Sequence, residues 1–275
     1  MNCLSELKRH YGNAEGYALY RLLMEECFHL SHTDILLGKD SLISEEKQAL
    51  LREITERLLK NEPVQYILGY THFHGHRFNV RNGVLIPRPE TELLVDKALE
   101  LGRQTTGNIP TRTLDIGTGS GCIAISLALE GHKVTAMDIS EEALHIAQEN
   151  ATALNAEVNF VHENILQPST TPQQWDIIVS NPPYVCLHEA EEMERNVLEH
   201  EPHLALFVPD TDPLIFYRAI SSFALSHLSP GGWLCLEINQ AFPMEMTRLL
   251  ASFGFRDITI IPDQYEKKRI ACAHL

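Results

Sequence analysis

The sequence predicts an α/β protein with an N-terminal helical bundle, a β-hairpin linker and a seven-stranded, mostly parallel sheet. Three observations lead to this fold class. Residues 1–68 repeat apolar side chains at helical spacing and contain no strand pattern. Residues 69–86 alternate polar and apolar side chains around Asn82-Gly83, which predicts a hairpin turn there. Across residues 87–275, short apolar runs alternate with helical segments, as in strands joined by crossover helices.

The composition is that of a globular chain with an acidic surface. Its 275 residues allow one large or two unequal domains. The net charge of −15 disfavours direct nucleic-acid binding, which relies on Lys and Arg to neutralise phosphates, and favours a small-molecule or basic-protein partner. The six cysteines form no CxxC pair, which indicates reduced thiols in a cytoplasmic protein. We expect no signal peptide, no membrane span and a monomer.

A glycine-rich segment between a predicted strand and a predicted helix has the composition of a ligand-binding loop. Its sequence is Asp115-Ile116-Gly117-Thr118-Gly119-Ser120-Gly121. Glycines allow a ligand to approach the backbone closely, and the helix that follows presents free N–H groups. Asp138 ends the next strand, where a carboxylate can accept hydrogen bonds from two ribose hydroxyls. The G-x-G-x-G spacing differs from the dinucleotide fingerprint G-x-G-x-x-G and is similar to the nucleoside-binding loop of class I methyltransferases, so NAD is disfavoured.

The tetrapeptide Asn181-Pro182-Pro183-Tyr184 follows a predicted strand, at the sheet edge where open α/β sheets bind ligands. An amide nitrogen is a poor nucleophile because its lone pair is delocalised. The Asn181 side-chain oxygen and the Pro182 carbonyl can each accept one N–H, which orients the nitrogen and stabilises the positive charge that develops on it. Consecutive prolines stiffen the loop, and Tyr184 can stack on a planar group. The motif therefore predicts methyl transfer to a planar amide or amine nitrogen, with no general base needed before attack.

With these motifs, the chain resembles the protein-(glutamine-N5) methyltransferases of the HemK/PrmC type, which modify peptide chain release factors. The resemblance covers nearly the whole chain. Besides the glycine loop, Asp138 and the tetrapeptide, it rests on 62–69, Phe73, Gly75, Phe78, Val80, 87–92, Glu201-Pro202, Ala205-Leu206 and 263–269. DNA adenine methyltransferases share the tetrapeptide, but its combination with the helical segment and Pro-Arg-Pro-Glu-Thr-Glu is highly specific.

The resemblance implies a class I, Rossmann-like methyltransferase that uses S-adenosyl-L-methionine and releases S-adenosyl-L-homocysteine. The substrate it implies is the glutamine of the GGQ motif of release factors. Residues 1–68 are expected to form a helical domain that recognises the substrate. Residues 69–86 are expected to form a β-hairpin linker between the two domains, and residues 87–275 the methyltransferase domain. The expected cofactor-binding residues are Asp115, Gly117, Thr118, Gly119, Ser120, Gly121, Asp138, Ile139, Asn164, Ile165 and Asn181. The expected catalytic residues are Asn181, Pro182 and Tyr184, and substrate binding adds Pro183, Arg88 and Glu90.

Three other functions stay open. A nucleic-acid adenine N6-methyltransferase shares the tetrapeptide but needs a basic recognition region, whereas residues 1–68 hold more acidic than basic side chains. A ribosomal-protein glutamine methyltransferase is excluded only by a substrate assay. A nucleotide-sensing protein without turnover is disfavoured by the presence of Asn181 and Tyr184.

A metal site is also conceivable at one histidine-rich segment. His72, His74 and His76 would share one face of a strand, and imidazoles are common zinc ligands. No Cys or carboxylate joins them nearby in sequence, so we expect no metal site.

Overall fold

The computed structural model describes residues 3–107, 110–169 and 173–275, and the chain divides into two compact units. The helical unit comprises Met1–Gly69 together with Glu194–His200. The sheet unit comprises Tyr70–Met193 and Glu201–Leu275. The sequence did not indicate that a segment following the Asn-Pro-Pro-Tyr motif belongs to the helical unit.

The elements of the described residues run in the following order. The α-helices are α1 Cys3–Tyr11, α2 Asn13–Phe28, α3 His32–Leu36, α4 Glu45–Leu58, α5 Val64–Leu68, α6 Glu92–Thr106, α7 Cys122–Leu129, α8 Glu141–Leu154, α9 Arg195–His200, α10 Ile215–His227 and α11 Pro243–Ser252. The strands are β1 Tyr70–Phe73, β2 His76–Asn79, β3 Arg112–Ile116, β4 Lys133–Asp138, β5 Val158–His162, β6 Trp175–Ser180, β7 Val185–Cys186, β8 Phe207–Val208, β9 Leu228–Glu237, β10 Arg256–Pro262 and β11 Lys268–His274.

The helical unit has a core of its own. Its helices bury apolar faces that include Leu7, Leu23, Met24 and Leu58. The side chain of Ser44 accepts a hydrogen bond from the Lys47 N–H and so caps the start of α4. Within the described residues, none of the helices combines the length and apolarity needed to cross a bilayer.

Residues 194–200 attach to the helical unit through polar contacts. The Asn61 side-chain amide donates to the Glu199 carboxylate at 3.2 Å. The His200 Nε2 lies 3.0 Å from the Lys60 carbonyl oxygen. These contacts lie at the end of α4 and the turn that follows it, so this surface of the helical unit contains residues from two distant parts of the chain.

The hairpin turns at a different place from the one expected. β1 and β2 join through His74 and Gly75, whose φ angles are 48° and 77°. Two consecutive positive φ angles match a two-residue turn that follows the twist of the strands, and histidine tolerates the left-handed region better than most residues. Asn82 and Gly83 lie beyond β2, so the prediction of a hairpin turn there was wrong.

The three histidines do not share a strand face. His76 pairs with Phe73 across the hairpin and therefore lies on the same side as Phe73. His72, the neighbour of Phe73, lies on the opposite side. His74 lies in the turn, with its Nε2 3.1 Å from the Asp96 carboxylate. The expectation of a common face was therefore wrong, because the turn interrupts the alternation.

The sheet confirms the predicted fold class. Seven strands follow the order β10-β11-β9-β6-β3-β4-β5. The five from β9 to β5 are parallel, whereas β11 is antiparallel to both of its neighbours. Helices α6, α7 and α8 contribute to the apolar core on one face, and α10 and α11 to the core on the other. The carboxyl ends of β3, β4, β6 and β9 therefore meet at one edge, where the candidate site lies.

Candidate active site

A cavity of about 210 Å³ opens at the carboxyl edge of the parallel strands. Among the sequence-predicted residues, its lining includes Gly117, Gly119, Asp138, Ile139, Asn164, Ile165, Asn181, Pro182 and Pro183. The predicted residues outside its lining are Asp115, Thr118, Ser120, Gly121, Tyr184, Arg88 and Glu90. The two halves of the prediction, a cofactor loop and a target motif, therefore lie around the same cavity.

The glycines of the loop serve two different purposes. Gly117 and Gly119 have φ angles of 74° and 54°, and a Cβ at either position would have no atom within 4 Å. The backbone there is bare and open toward the cavity. Gly121 differs, because a Cβ would lie 2.9 Å from Ile125 Cδ1 and 3.0 Å from Ala147 Cβ. Its lack of a side chain allows α7 and α8 to pack closely.

Asp138, at the end of β4, lies against this loop. One carboxylate oxygen accepts the Gly119 N–H at 2.9 Å, and the other accepts the Ser140 N–H at 2.9 Å. Burial raises the pKa of Asp138, while the N–H groups of Ser140 and Gly119 oppose that rise. Each oxygen has a second lone pair, so the carboxylate can still accept hydrogen bonds from a ligand's hydroxyls.

Asp115 lies beneath the loop and not in the cavity wall. Its Oδ2 accepts a hydrogen bond from the Thr118 hydroxyl at 2.7 Å, and its Oδ1 is buried without a partner among the described residues. Burial raises the pKa of Asp115 to about 7. In this structure the Asp115 side chain supports the loop from below.

Beyond β5 the cavity wall continues through Glu163, Asn164, Ile165 and Leu166. Asn164 folds back so that its Oδ1 accepts the Leu166 N–H at 2.9 Å. Ile165 is buried, and Ile139, which follows β4, is 45% exposed. This part of the wall can take a flat, largely apolar group. The wall also includes Met137, Ser140, Ala143, Ser180, Leu204, Phe216 and Ile220, which lie in no motif that the sequence analysis used.

The Asn-Pro-Pro-Tyr motif leaves the end of β6 along the cavity. The Asn181 Nδ2 donates to the Thr91 hydroxyl oxygen at 3.3 Å. The Tyr184 hydroxyl donates to the Glu237 carboxylate at 3.0 Å, below the loop. Burial, followed by the nearby Glu237, raises the pKa of Tyr184. In this conformation the Tyr184 hydroxyl is engaged by the protein and the residue does not line the cavity.

Thr91 and Glu237 form a buried pair that the sequence analysis missed. The Thr91 hydroxyl donates to Glu237 Oε2 at 2.7 Å, and both side chains are almost fully buried. Burial raises the pKa of Glu237 to about 7. The available signal was a single carboxylate directly after the apolar run 233–236 of β9, at the same sheet edge as Asn181.

Arg88 and Glu90 lie next to the site. The Arg88 Nη2 lies 2.6 Å from Glu201 Oε1, and the other oxygen of Glu201 accepts the Ile86 N–H at 3.1 Å. The Glu201 side chain is 1% exposed. Pro202, the next residue, lines the cavity, so this ion pair joins the segment entering α6 to the cavity wall. Glu90 is half-buried, and its negative charge adds to the rise in the pKa of Tyr184 and of Glu237 that burial mainly causes.

Known protein families match both parts of the chain. A family described as the PrmC N-terminal domain matches residues 2–69, and one described as the methyltransferase small domain matches residues 91–202. A protein of Bacteroides thetaiotaomicron named release factor glutamine methyltransferase is 48% identical over 267 residues, covering 96% of this chain and 94% of its own. A protein of the same name from Flavobacterium psychrophilum is 42% identical, covering 94% and 92%.

Solved structures support the fold. A methyltransferase from Pyrococcus furiosus superposes with a TM-score of 0.54 at 18% identity, covering 84% of this chain and 98% of its own. The 16S rRNA N2 G1207 methyltransferase of Thermus thermophilus, solved with AdoMet and guanosine, has a TM-score of 0.53 at 19% identity. It covers 74% of this chain and 49% of its own. At these identities the likeness concerns the fold alone.

Proposed function

Because the chain belongs to the release factor glutamine methyltransferase family, we propose that it methylates the side-chain N5 of the glutamine in the GGQ motif of peptide chain release factors, with S-adenosyl-L-methionine as the methyl donor. The observation that carries the proposal is the position of Asn181 and Pro182 on the same cavity as Gly117, Gly119 and Asp138. The nucleoside-binding and target-binding motifs thus face one space.

The cavity has features that fit the cofactor. Gly117 and Gly119 leave bare backbone next to the space in which a nucleoside and its amino-acid tail would lie. The Asp138 carboxylate has lone pairs for two ribose hydroxyls, and Asn164 and Ile165 provide a polar and an apolar contact for a base. S-adenosyl-L-methionine supplies a methyl group on an electrophilic sulfonium.

The residues of the target motif act on the glutamine amide. Asn181 Oδ1 and the Pro182 carbonyl each accept one of its two N–H groups, so the nitrogen's orientation is fixed before reaction. As the nitrogen attacks, it becomes positively charged and its N–H groups become stronger donors, so the two acceptors bind the transition state more tightly than the ground state. The surplus proton leaves afterwards to water, because a methylated amide cation is strongly acidic.

We also propose that the helical unit selects the release factor. Glutamine is too common a side chain to give specificity, so discrimination comes from contacts remote from the amide. The helical unit exposes three leucines near the end of α3 and the segment after it: Leu36, Leu37 and Leu42 are 71%, 69% and 80% exposed. Exposed apolar side chains grouped in one segment favour contact with another protein. The acidic balance of residues 1–68 suits a partner that approaches ribosomal RNA and is therefore basic.

The enzyme is proposed to act as a monomer in the cytoplasm. The proposed site draws on the sheet unit of one chain, so a monomer suffices for the chemistry. A substrate that takes part in translation is consistent with a cytoplasmic location.

A methyl-transfer assay with three acceptors tests the proposed function. The enzyme is incubated with labelled S-adenosyl-L-methionine and one of three acceptors. These are an intact release factor, the unmethylated form of a ribosomal protein that normally carries a methylated glutamine, and duplex DNA. We expect label on the GGQ glutamine of the release factor, located by peptide mass spectrometry, and none on the other two. Faster labelling of the ribosomal protein would support the related protein methyltransferase, and label on adenine would support the nucleic-acid enzyme.

A further inference from the structure

A chain of buried and partly buried hydrogen bonds connects Asn181 to Glu237 at the end of β9. The Asn181 Nδ2 lies 3.3 Å from Thr91 Oγ1, and that hydroxyl lies 2.7 Å from Glu237 Oε2. The other oxygen of Glu237 accepts the hydroxyl of Tyr184 at 3.0 Å. One carboxylate that is completely buried therefore interacts with the side chains at both ends of the Asn-Pro-Pro-Tyr motif, directly or through Thr91.

Above about pH 7 the direction of these hydrogen bonds follows from chemistry. The Glu237 carboxylate is then mostly ionised and can only accept, so the Thr91 hydroxyl must give its single hydrogen to Glu237. The Thr91 oxygen then has only lone pairs to offer, so the Asn181 side chain must turn its NH₂ group toward Thr91. The Asn181 carbonyl oxygen is thereby the end of the amide that remains for the cavity, which Asn181 lines.

We propose that Thr91 and Glu237 are positioning residues that fix the Asn181 amide with its oxygen, and not its NH₂ group, toward the acceptor nitrogen. This proposal rests on the proposed function, in which Asn181 Oδ1 accepts a substrate N–H. A reversed amide would present a donor to a donor, and an asparagine without the Thr91 contact would sample both orientations. Thr91 thus contributes to turnover only through Asn181, without touching the substrate.

Substitutions at Thr91 test the proposal in the full-length enzyme at about pH 8, above the raised pKa of Glu237, where its carboxylate is mostly ionised. Thr91→Val keeps the shape of the side chain and removes the hydroxyl, whereas Thr91→Ser keeps the hydroxyl. We expect Thr91→Val to lower kcat roughly 10- to 100-fold, the range for a misaligned reacting group, with unchanged affinity for S-adenosyl-L-methionine. Thr91→Ser should restore most of the turnover.

A matched control separates this role from stability. Thr113 is also a fully buried threonine, and it lies on β3 away from the carboxyl edge. Its hydroxyl oxygen is 2.8 Å from His132 Nδ1. Thr113→Val should lower the melting temperature to a similar extent and leave kcat near that of the parent. If Thr91→Val does not fold, Thr91→Ala removes the same hydroxyl and is used in its place.

A double-mutant cycle gives the decisive readout. In an Asn181→Ala background, Thr91→Val should have no further effect on kcat, because the side chain through which it acts is gone. An equal fractional loss in both backgrounds, or a Thr91→Val enzyme with near-parental kcat, would overturn the positioning role. Failure of the proposed function looks different: the parent enzyme would not methylate glutamine, or Asn181→Ala alone would retain full turnover.

Discussion

The guanidinium of Arg88 lies 2.6 Å from the carboxylate of Glu201, although 113 positions separate the two residues in the sequence. The Glu201 side chain is almost entirely buried, and it also accepts the backbone N–H of Ile86. This pair joins the segment before α6 to the segment that contributes Pro202 to the cavity wall.

Arg88→Ala should therefore destabilise the sheet unit by about 3 kcal/mol, because it leaves the buried Glu201 charge unpaired. This is the low end of the range for a broken buried pair, since Arg88 itself is 30% exposed. Chemical denaturation measures the free energy of unfolding. Arg81→Ala is the matched control, since Arg81 pairs with Glu149 where both side chains are exposed. Exposed pairs contribute roughly 0–1 kcal/mol. Equal losses in the two variants would show that the Arg88–Glu201 pair has no special structural role.

Asp138→Ala should weaken binding of S-adenosyl-L-methionine by roughly 1–3 kcal/mol, because the ribose hydroxyls lose their acceptor and the Gly119 N–H loses its partner. Titration calorimetry measures the affinity. Asp96→Ala is the control, since this exposed carboxylate pairs with His74 in the same unit and lies outside the cavity lining. An unchanged affinity in Asp138→Ala would exclude the ribose assignment.

Leu37→Ser combined with Leu42→Ser should raise the KM for an intact release factor, without changing the affinity for S-adenosyl-L-methionine. The reason is that both leucines are largely exposed on the helical unit, where we propose that the substrate binds. Leu225→Ser removes a partly exposed leucine from α10 of the sheet unit and should leave KM unchanged. If the double variant has the parental KM, this segment takes no part in recognition.

Asp115→Asn should change stability in a pH-dependent way. Burial raises the pKa of Asp115 in the folded state to about 7 from its ordinary value of 3.8. The folded state therefore binds this proton more tightly than the unfolded state. The resulting stabilisation is complete below about pH 4 and is lost as the pH rises through 7. Asparagine does not titrate. The free energy of unfolding of the variant minus that of the parent should therefore be larger at pH 8 than at pH 5, by on the order of 3 kcal/mol.

Denaturant unfolding of both proteins at the two pH values measures this gain. Asparagine retains an oxygen that can accept from Thr118, so the loop contact itself is preserved. A stability difference that is the same at both pH values would contradict the raised pKa of Asp115.

The central strands could be predicted because β3, β4 and β6 each contain a short apolar run with a polar residue or glycine at or just after its end. The end of β4 at Asp138 and of β6 at Ser180 both followed from this pattern, and the parallel order then required Asp138 and Asn181 to meet at one edge. Local sequence alone thus located the two motifs of the site correctly relative to the sheet.

Contacts between distant residues could not be predicted in this way. Thr91 and Glu237 are 146 positions apart. The apolar run before Glu237 marks a carboxylate at the end of a strand, but neither local sequence indicates that Thr91 will be its partner. The hairpin is a different case, because Asn82-Gly83 has the stronger turn propensity and yet the chain turns at His74-Gly75. Burial of Phe73 and Phe78 on one side of the hairpin fixes that register, and tertiary packing outweighs the local preference.

The turnover of Asn181→Ala on an intact release factor tests most directly whether the Asn181 side-chain oxygen binds the acceptor amide as the methyl group is transferred. Removing one preorganised group of this kind typically lowers kcat by about 10²–10³. We expect that loss with unchanged affinity for S-adenosyl-L-methionine, whereas Asn159→Ala, at an exposed position on β5, should behave as the parent. An Asn181→Ala enzyme that methylates the release factor at near-parental kcat would contradict the account.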